Sequence, residues 1–431
     1  MTAQGRHRVA VVGAGWAGLA AAVALVQAGR AVTVFEMASR PGGRARQVQT
    51  AGGPFDNGQH ILIGAYTHTL ALMRQVGADP DTLLLRRPLA LCGADGRGLV
   101  LPSGPPALAL ALAVLRRPGW SWSDKAALLA CAAGWRWRGF ECPDDMTVAH
   151  LCAGLPARVR QGLIDPLCVA ALNTAAAQAS ARIFLRVLRD ALGAGPGSAD
   201  LLLPRAGLSA LLPDPAQRWL LAAGAQWQTP YRVKVLTAPQ PGATGWQVDD
   251  QPFEAVVLAC SAAEAARLAA PHRPDWAHQA AALAHEPIVT AYLADPTLRL
   301  ALPTVMLHSD ADAPAQFVFD LGALGGPVGC FAWVASGAGP ALTAGLAACG
   351  EQILQQARLA FPGAFAGPAA QVIQHLAAER RATFACTPGL QRPAALVAPG
   401  LVAAGDYIEG PYPATLEGAV RSGQQAAHSL I

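Results

Sequence analysis

Three glycines near the N-terminus have the spacing that could hold a dinucleotide. Gly13, Gly15 and Gly18 form a G-x-G-x-x-G pattern directly after Val9–Val12, an apolar run typical of a strand buried on both faces. The first glycine permits a tight turn, the second lets the backbone approach a pyrophosphate, and the third lets the next helix pack on the strand. This pattern predicts that a strand–turn–helix unit binds an adenine dinucleotide.

An acidic residue stands where such a unit needs one. The predicted helix Trp16–Ala28 ends at Gly29, a residue well suited to a helix C-terminus, and Ala31–Phe35 follows as the second strand. Glu36 ends that strand, roughly 20 residues beyond the glycines, where a carboxylate accepts hydrogen bonds from ribose hydroxyls. An arginine would be expected there for a 2′-phosphate, so the sequence favours a cofactor without one.

The segments at the two ends of the chain resemble the flavin signatures of a known superfamily. Arg40–Arg46, R-P-G-G-R-A-R, is similar to the G-G-R segment that follows the dinucleotide fold in flavin-dependent amine oxidases and carotenoid desaturases. Near the C-terminus, Gly405-Asp406 and the helix start at 413–415 resemble the second signature, in which the acid binds the ribityl chain. The resemblance implies FAD, with Arg44 pairing with phosphate and the helix N-terminus pointing at the flavin N1/O2 edge.

The same resemblance indicates which other residues contact the cofactor. Gly58-Gln59-His60 resembles a segment that lies against the flavin, with His60 nearest to the ring as a proton carrier or, alternatively, as a structural histidine. Val233, on a predicted strand, is expected beside the adenine. The predicted FAD-binding residues are Gly13, Gly15, Trp16, Ala17, Gly18, Glu36, Arg44, Gly58, Gln59, Val233, Gly405, Asp406, Thr415 and Leu416.

Composition limits the other possibilities. The 431 residues are 53% hydrophobic and 14% charged, and a net charge of +4 is too small to indicate nucleic-acid binding. The nine cysteines form no C-x-x-C pair, so we expect free thiols and no metal site. No run of 18 apolar residues or signal peptide is apparent, and we expect a cytoplasmic protein.

One apolar stretch favours contact with a membrane surface. Residues 102–115 are almost entirely apolar and end at Arg116-Arg117, and residues 120–138 interleave four tryptophans with lysine and arginine. Such residues suit a membrane interface, whereas a helical substrate domain with an apolar core would look similar. Both interpretations stay open, and a lipid-like substrate would fit both. We therefore expect peripheral attachment to the inner face of the cytoplasmic membrane.

The order of these segments predicts an α/β protein with an amine oxidase-like two-domain fold. A Rossmann-type FAD-binding domain is expected from residues 1–80, 200–262 and 396–431. A discontinuous α+β substrate-binding domain is expected from residues 81–199 and 263–395.

A closer resemblance is to the squalene-associated FAD-dependent desaturase group, the hydroxysqualene dehydroxylases. It rests on residues 55–66 (FDNGQHILIGAY), 166–174 (PLCVAALNT), 184–190 (FLRVLRD) and the C-terminal segments 405–406 and 412–419. The resemblance implies reductive removal of an allylic hydroxyl from hydroxysqualene, or a similar long isoprenoid, with hydride from reduced FAD. His60, Tyr412 and Asn173 are the predicted catalytic residues.

Other functions on the same fold remain possible from the sequence. A carotenoid-type desaturase would use a similar pocket and the same cofactor. An amine oxidase fits less well, because the strand Ile288–Tyr292 lacks the lysine that oxidases place near flavin N5. A non-catalytic prenyl-binding protein is disfavoured by the two flavin signatures. NAD(P)H, a separate reductase or a quinone could reduce the flavin.

Overall fold

The computed structural model describes residues 7–50, 52–239 and 245–431. Its strands in chain order are β1 (Arg8–Val12), β2 (Ala31–Phe35), β3 (Gln47–Thr50), β4 (Gly53–Asp56), β5 (Leu62–Ile63), β6 (Leu84–Arg87), β7 (Ala90–Cys92), β8 (Gly98–Val100), β9 (Leu201–Pro204), β10 (Gln226–Gln228), β11 (Leu236–Thr237), β12 (Trp246–Val248), β13 (Gln251–Phe253), β14 (Ala255–Leu258), β15 (His285–Ala294), β16 (Thr304–Met306), β17 (Phe317–Asp320), β18 (Cys330–Ser336), β19 (Ile373–Phe384), β20 (Leu396–Ala398) and β21 (Leu401–Ala403).

The helices lie between and after these strands. In chain order they are α1 (Trp16–Gln27), α2 (Thr67–Gln75), α3 (Pro80–Leu83), α4 (Pro106–Arg116), α5 (Trp122–Trp137), α6 (Val148–Leu151), α7 (Ala157–Val159), α8 (Asp165–Leu172), α9 (Ala181–Gly193), α10 (Leu208–Leu211), α11 (Pro213–Ala222), α12 (Ala262–Ala269), α13 (Pro274–Ala281), α14 (Leu346–Ala360), α15 (Ala369–Val372) and α16 (Leu416–His428). A π-helical turn joins α7 to α8, and a 3₁₀ turn precedes α14.

The N-terminal motif folds into the sheet that its apolar pattern predicts. Six strands lie in the order β10-β2-β1-β14-β21-β20, and all neighbours are parallel except β20 and β21. Strand β1 lies between β2 and β14, which explains why Val9–Val12 is buried and fully apolar. The strands connect distant parts of the chain, so the carboxyl ends of β1, β2, β14 and β21 meet at one edge.

Small residues let two helices approach this sheet and each other closely. A Cβ at Gly18 of α1 would lie 1.9 Å from the carbonyl oxygen of Gly13, in the turn that precedes the helix. A Cβ at Gly423 of α16 would lie 2.1 Å from the carbonyl oxygen of Ala17. No side chain fits at such distances, so α1 and α16 pack through their backbones. This packing brings both helix N-termini to the same edge of the sheet.

A second sheet provides the opposite layer. Its five strands lie in the order β16-β17-β18-β15-β19. On one face, Trp333 and Phe331 are fully buried and form a core with Ile353 and Leu354 of α14. Because side chains alternate along a strand, the neighbouring residues of the same strands point to the other face, toward the first sheet. That second face is one wall of the cavity described below.

Contacts near residue 263 cross the predicted domain boundary. The guanidinium of Arg267 on α12 donates to the carbonyl oxygens of Val233 and Lys234, at 2.7 Å each. Arg273, directly before α13, donates from Nη1 to the carbonyl oxygen of Val397 at 2.8 Å. These two helices therefore pack beside the dinucleotide-binding sheet, although the sequence assigned them to the substrate domain. The division into domains stays a prediction.

Candidate active site

One continuous cavity of about 860 Å³ lies between the two sheets. One end is lined by Phe35, Glu36 and Val233, next to the carboxyl ends of β1 and β2. The cavity then passes the glycine turns and reaches His60 and the second face of the other sheet. Its volume is within the range of small-molecule and cofactor sites.

Two glycine turns form the floor of this cavity. A Cβ at Gly13 (φ +107°) would lie 2.7 Å from the carbonyl oxygen of Ala259, so the turn requires glycine. Gly42 N–H donates to the carbonyl oxygen of Ala14 at 2.8 Å, which holds the second turn beside the first. A Cβ at Gly15 would have no protein neighbour closer than Gly43 Cα, at 3.9 Å. The space at Gly15 therefore belongs to the cavity.

Backbone amides fix the carboxylate of Glu36. Its Oε2 accepts from Ala14 N–H at 2.6 Å and its Oε1 accepts from Ala38 N–H at 2.7 Å. Each oxygen retains a lone pair for a further donor, such as a ribose hydroxyl. Val233 is buried nearby, but it lies before β11 in irregular backbone, where the sequence predicted a strand.

Arg44 connects three parts of the site. Its Nη2 lies 2.5 Å from Asp406 Oδ1, and its Nη1 donates to the carbonyl oxygen of Ala382 at 2.6 Å. Asp406 is largely buried, so this ion pair is shielded on the carboxylate side. The arginine thus ties the glycine turn to β19 and to the C-terminal Gly405-Asp406 segment. All three elements line the cavity.

Two helix N-termini point to the cavity. Gly15, Trp16 and Ala17 at the start of α1 line it, as do Thr415 and Leu416 at the start of α16. The Thr415 hydroxyl accepts from Gly418 N–H at 3.0 Å and so caps α16. Unpaired amides and the partial positive charge at these ends favour anionic groups in the cavity.

The three predicted catalytic residues are in different surroundings. His60 lines the cavity, and burial together with the Arg44 charge lowers the pKa of its imidazole to about 4. His60 is therefore neutral at neutral pH. Tyr412 is outside the cavity lining, because its backbone turns at φ +60° and its ring packs against the guanidinium of Arg421, 4.8 Å away. The structure does not bring Tyr412 together with His60 and Asn173.

Asn173 lines the cavity and also holds two elements together. It ends α8 in a left-handed conformation (φ +48°). Its Nδ2 donates to Thr383 Oγ1 at 2.9 Å and to the carbonyl oxygen of Glu286 at 3.2 Å, and its Oδ1 accepts from Gly337 N–H at 2.7 Å. Protein groups thus already engage both polar atoms of the side chain. A catalytic role for Asn173 stays a prediction.

Comparisons with known proteins agree with this geometry. The sequence profile of a family described as flavin containing amine oxidoreductase matches residues 16–431. The chain belongs to this family. A hydroxysqualene dehydroxylase of Rhodopseudomonas palustris is 30% identical over 448 residues, covering 98% of both chains. The resemblance to the hydroxysqualene dehydroxylases is thereby confirmed.

Two further comparisons bear on the fold and on one local segment. The crystal structure of an oxidoreductase from Methanosarcina mazei superposes with a TM-score of 0.74 at 15% identity, covering 98% of this chain and 100% of the other. This likeness supports the predicted two-domain α/β fold. A hydroxyneurosporene desaturase of Rhodobacter capsulatus is 54% identical over 82 residues, which are 19% of this chain and 16% of that protein.

The site fits the cofactor of this family, and the chain is an FAD-dependent oxidoreductase. The two glycine turns, the fixed Glu36 carboxylate, the N-terminus of α16, Gly58 and Gln59 all line this one cavity. Gly18 is not part of the cavity lining and serves the packing of α1, as the third glycine of the motif should. The individual FAD contacts stay predictions.

Tyr66 and Glu379 are among the polar residues of the cavity that sequence reasoning missed in this flavoenzyme. Tyr66 lines it beside Thr415, and burial raises the pKa of its phenol, so Tyr66 stays protonated. Glu379 lines it from β19, together with Ala377, Arg381 and Thr383. The spacing of two between these β19 residues was a signal that one face of this strand could be polar and functional.

Within residues 7–50, 52–239 and 245–431, no helix is long and apolar enough to cross a membrane. In the same residues, no group of three or more histidine, cysteine, aspartate or glutamate side chains is placed to hold a metal ion.

Proposed function

We propose that this enzyme removes the allylic hydroxyl of hydroxysqualene reductively and forms squalene. The observation that carries the proposal is the extent of the similarity: the hydroxysqualene dehydroxylase of R. palustris matches over 98% of both chains. The desaturase similarity is confined to about a fifth of this chain. A shared FAD-binding motif is enough to explain the local match to the desaturase. The full-length match to the dehydroxylase also includes the segments that line the proposed substrate half of the cavity.

The substrate half of the cavity suits a long hydrocarbon. Its walls include Ile61, Val169 and Leu172 on one side and Phe317 and Phe319 on the other. Apolar walls bind an isoprenoid chain and exclude water, which would otherwise capture an allylic cation. The faces of the two phenylalanines can stabilise such a cation. Reduced FAD, when bound, supplies the hydride that completes the reduction.

The alternatives have less support. An amine oxidase would need a lysine on β15, and this strand presents Ile288 and Thr290 to the cavity. A non-catalytic prenyl-binding protein would not need the paired glycine turns, the fixed Glu36 carboxylate and the capped α16. A desaturase would oxidise its substrate and therefore requires oxidised FAD at the start of the reaction.

The direction of electron flow is the basis of the test. Purified FAD-loaded enzyme is reduced chemically without oxygen and given hydroxysqualene, and the products are separated by mass. The proposal predicts squalene from reduced enzyme and no conversion of squalene or phytoene by oxidised enzyme. Unchanged hydroxysqualene, together with flavin reduction by squalene or phytoene, would instead assign a desaturase.

We also propose that this enzyme docks on an anionic membrane through α4 and α5. Trp122 and Trp137 on α5 are 75% and 92% exposed, and Leu108 on α4 is 57% exposed. Residues 105–138 carry five cations and one anion, a net charge equal to the +4 of the whole chain. The single anion, Asp124, is buried in the cap of α5. Exposed indoles beside cations suit the headgroup region of an anionic leaflet.

Replacing both exposed tryptophans of α5 tests this docking surface. We expect the double variant Trp122→Ser/Trp137→Ser to bind phosphatidylglycerol-containing vesicles at least about 30-fold more weakly, because each buried indole contributes roughly 1.5–3 kcal/mol. Flotation with vesicles at low and high salt measures the binding. The matched control replaces Val328 and Leu359, which are 72% and 81% exposed elsewhere, with serine. Equal binding by the two double variants, or no binding by the wild type, would contradict the proposal.

A further inference from the structure

A lone carboxyl group faces the substrate half of the cavity from β19. Ala377, Glu379, Arg381 and Thr383 alternate along this strand, and all four line the cavity. Glu379 pairs in register with Ile288 of β15, and Thr290 of β15 also lines the cavity. Glu379 therefore belongs to the sheet face that would contact substrate and lies beside apolar neighbours.

The other carboxylates of this cavity are already engaged by charges or by the backbone. Glu36 accepts from two backbone amides, at 2.6 and 2.7 Å. Glu264 is held by the guanidinium groups of Arg232 and Arg267, at 2.8 and 3.0 Å. Asp406 is paired with Arg44. All three lie in the part of the cavity that is predicted to hold FAD.

Glu379 accepts from two neutral N–H donors, and Arg381 lines the cavity two positions along the same strand. Its Oε2 accepts from Asn57 Nδ2 at 3.1 Å, and its Oε1 accepts from Arg381 N–H at 3.1 Å. Among the ion pairs of the described residues, none includes Glu379. Glu379 therefore offers an unpaired carboxyl group, held in place by these two contacts, at the surface of the cavity.

Asn57 places this carboxyl next to the segment that is predicted to lie against the flavin. The same Nδ2 that donates to Glu379 also donates to the carbonyl oxygen of Arg44, at 3.0 Å. Asn57 directly precedes Gly58-Gln59-His60, all of which line the cavity. Glu379 is thus fixed at the border between the predicted flavin end and the apolar end. A hydroxyl that leaves from a carbon near the flavin would be within this region.

We propose that Glu379 is the general acid that protonates the leaving hydroxyl, an assignment that rests on the proposed dehydroxylation. His60 is another titratable side chain of this cavity, and a neutral imidazole is a much weaker acid than a carboxyl group. Tyr66 is protonated but is a weaker acid than either an imidazolium or a carboxylic acid. Proton transfer from a positioned acid accelerates such steps by about 100- to 10,000-fold.

The proposed reaction begins with proton transfer from Glu379. The carboxylic acid of Glu379 gives its proton to the hydroxyl oxygen, the C–O bond breaks, and its electron pair leaves with water. The allylic carbon becomes a cation and then accepts a hydride, one hydrogen with two electrons, from reduced FAD, which is thereby oxidised. The Glu379 carboxylate, which faces the cation until the hydride arrives, regains a proton from solvent. One alcohol and one reduced flavin give one hydrocarbon, one water and one oxidised flavin.

The test compares Glu379→Gln with wild type on two leaving groups. With hydroxysqualene, we expect the anaerobic single-turnover rate of the variant to fall by about 1,000-fold, because an amide cannot supply the proton. With the chloride analogue of hydroxysqualene, we expect nearly equal rates after subtraction of the protein-free background, because chloride leaves without a proton. Binding of hydroxysqualene to oxidised enzyme, measured by fluorescence quenching, should change little, since the amide still contacts the hydroxyl.

Two control variants keep the result interpretable. Glu286→Gln removes a carboxyl from β15 that is outside the cavity lining, and we expect wild-type rates from it. Glu379→Asp retains an acid and should keep more activity than Glu379→Gln, even if the glutamine variant binds FAD poorly. Equal rates for wild type and Glu379→Gln on hydroxysqualene, or equal losses on both substrates, would overturn the assignment. Failure of wild type to convert hydroxysqualene would instead overturn the proposed function.

Discussion

Replacing Gly15 with valine will leave the chain folded and weaken FAD binding at least about 100-fold, which corresponds to about 2.7 kcal/mol. Gly15 has an ordinary negative φ of −71°, so a larger residue can adopt its backbone conformation. A Cβ there would meet only Gly43 Cα, at 3.9 Å. The added methyl groups would occupy the cavity where the two glycine turns leave space for the pyrophosphate.

The measurement is a titration of FAD into cofactor-free protein, with flavin fluorescence as the signal. Far-ultraviolet circular dichroism and the thermal midpoint of the cofactor-free protein report whether the variant is folded. Gly154→Val is the matched control, because a Cβ at Gly154 would have no heavy atom within 4 Å and this glycine does not line the cavity. Full FAD binding by the Gly15 variant would show that the pyrophosphate lies elsewhere.

Replacing Gly18 with alanine will lower the free energy of unfolding of the protein, whereas the Gly15 replacement lowers the affinity for FAD. The new Cβ would lie 1.9 Å from the Gly13 carbonyl oxygen and 3.1 Å from the Ala259 side chain, so the turn, α1 and β14 would have to separate. Overpacking of cores commonly costs 1–3 kcal/mol, and we expect about 3 kcal/mol or more here, because a backbone atom is the obstacle.

Thermal and urea unfolding of cofactor-free protein measure this effect without a contribution from FAD. Gly134→Ala provides the comparison, because it makes the same change within helix α5, where the nearest atoms belong to the flexible Arg138 side chain at 3.7 Å. Alanine is the better helix former by about 1 kcal/mol, so this control should be neutral or stabilising. Similar unfolding midpoints for Gly18→Ala and wild type would contradict the packing described for α1.

The part of the cavity that is predicted to hold FAD was the easier part to anticipate from the sequence, because its features are local. Gly13, Gly15 and Glu36 act within a single strand–turn–helix–strand unit, and their roles follow from spacing alone. The second signature at Gly405-Asp406 was found by resemblance. The structure places it beside Arg44, 362 positions earlier in the chain.

The substrate half was less predictable, because it depends on contacts between distant segments. Glu379 meets Asn57, 322 residues away, and nothing near either residue in the sequence indicates the other. Tyr412 does not itself line the cavity, and its ring packs against Arg421 and against Tyr66, which does line it; its catalytic role stays a prediction. The packing of α12 beside the first sheet likewise depends on Arg267 reaching Val233, which no local pattern encodes.

A single anaerobic turnover in deuterium oxide tests the central claim most directly. Enzyme with reduced FAD, whose N5 hydrogen exchanges with solvent, is mixed with hydroxysqualene while flavin reoxidation is followed by absorbance and the product by mass spectrometry. The account predicts one squalene for each flavin reoxidised, with one deuterium on the carbon that carried the hydroxyl. Flavin that stays reduced, or squalene without deuterium at that carbon, would contradict reductive dehydroxylation by hydride transfer from FAD.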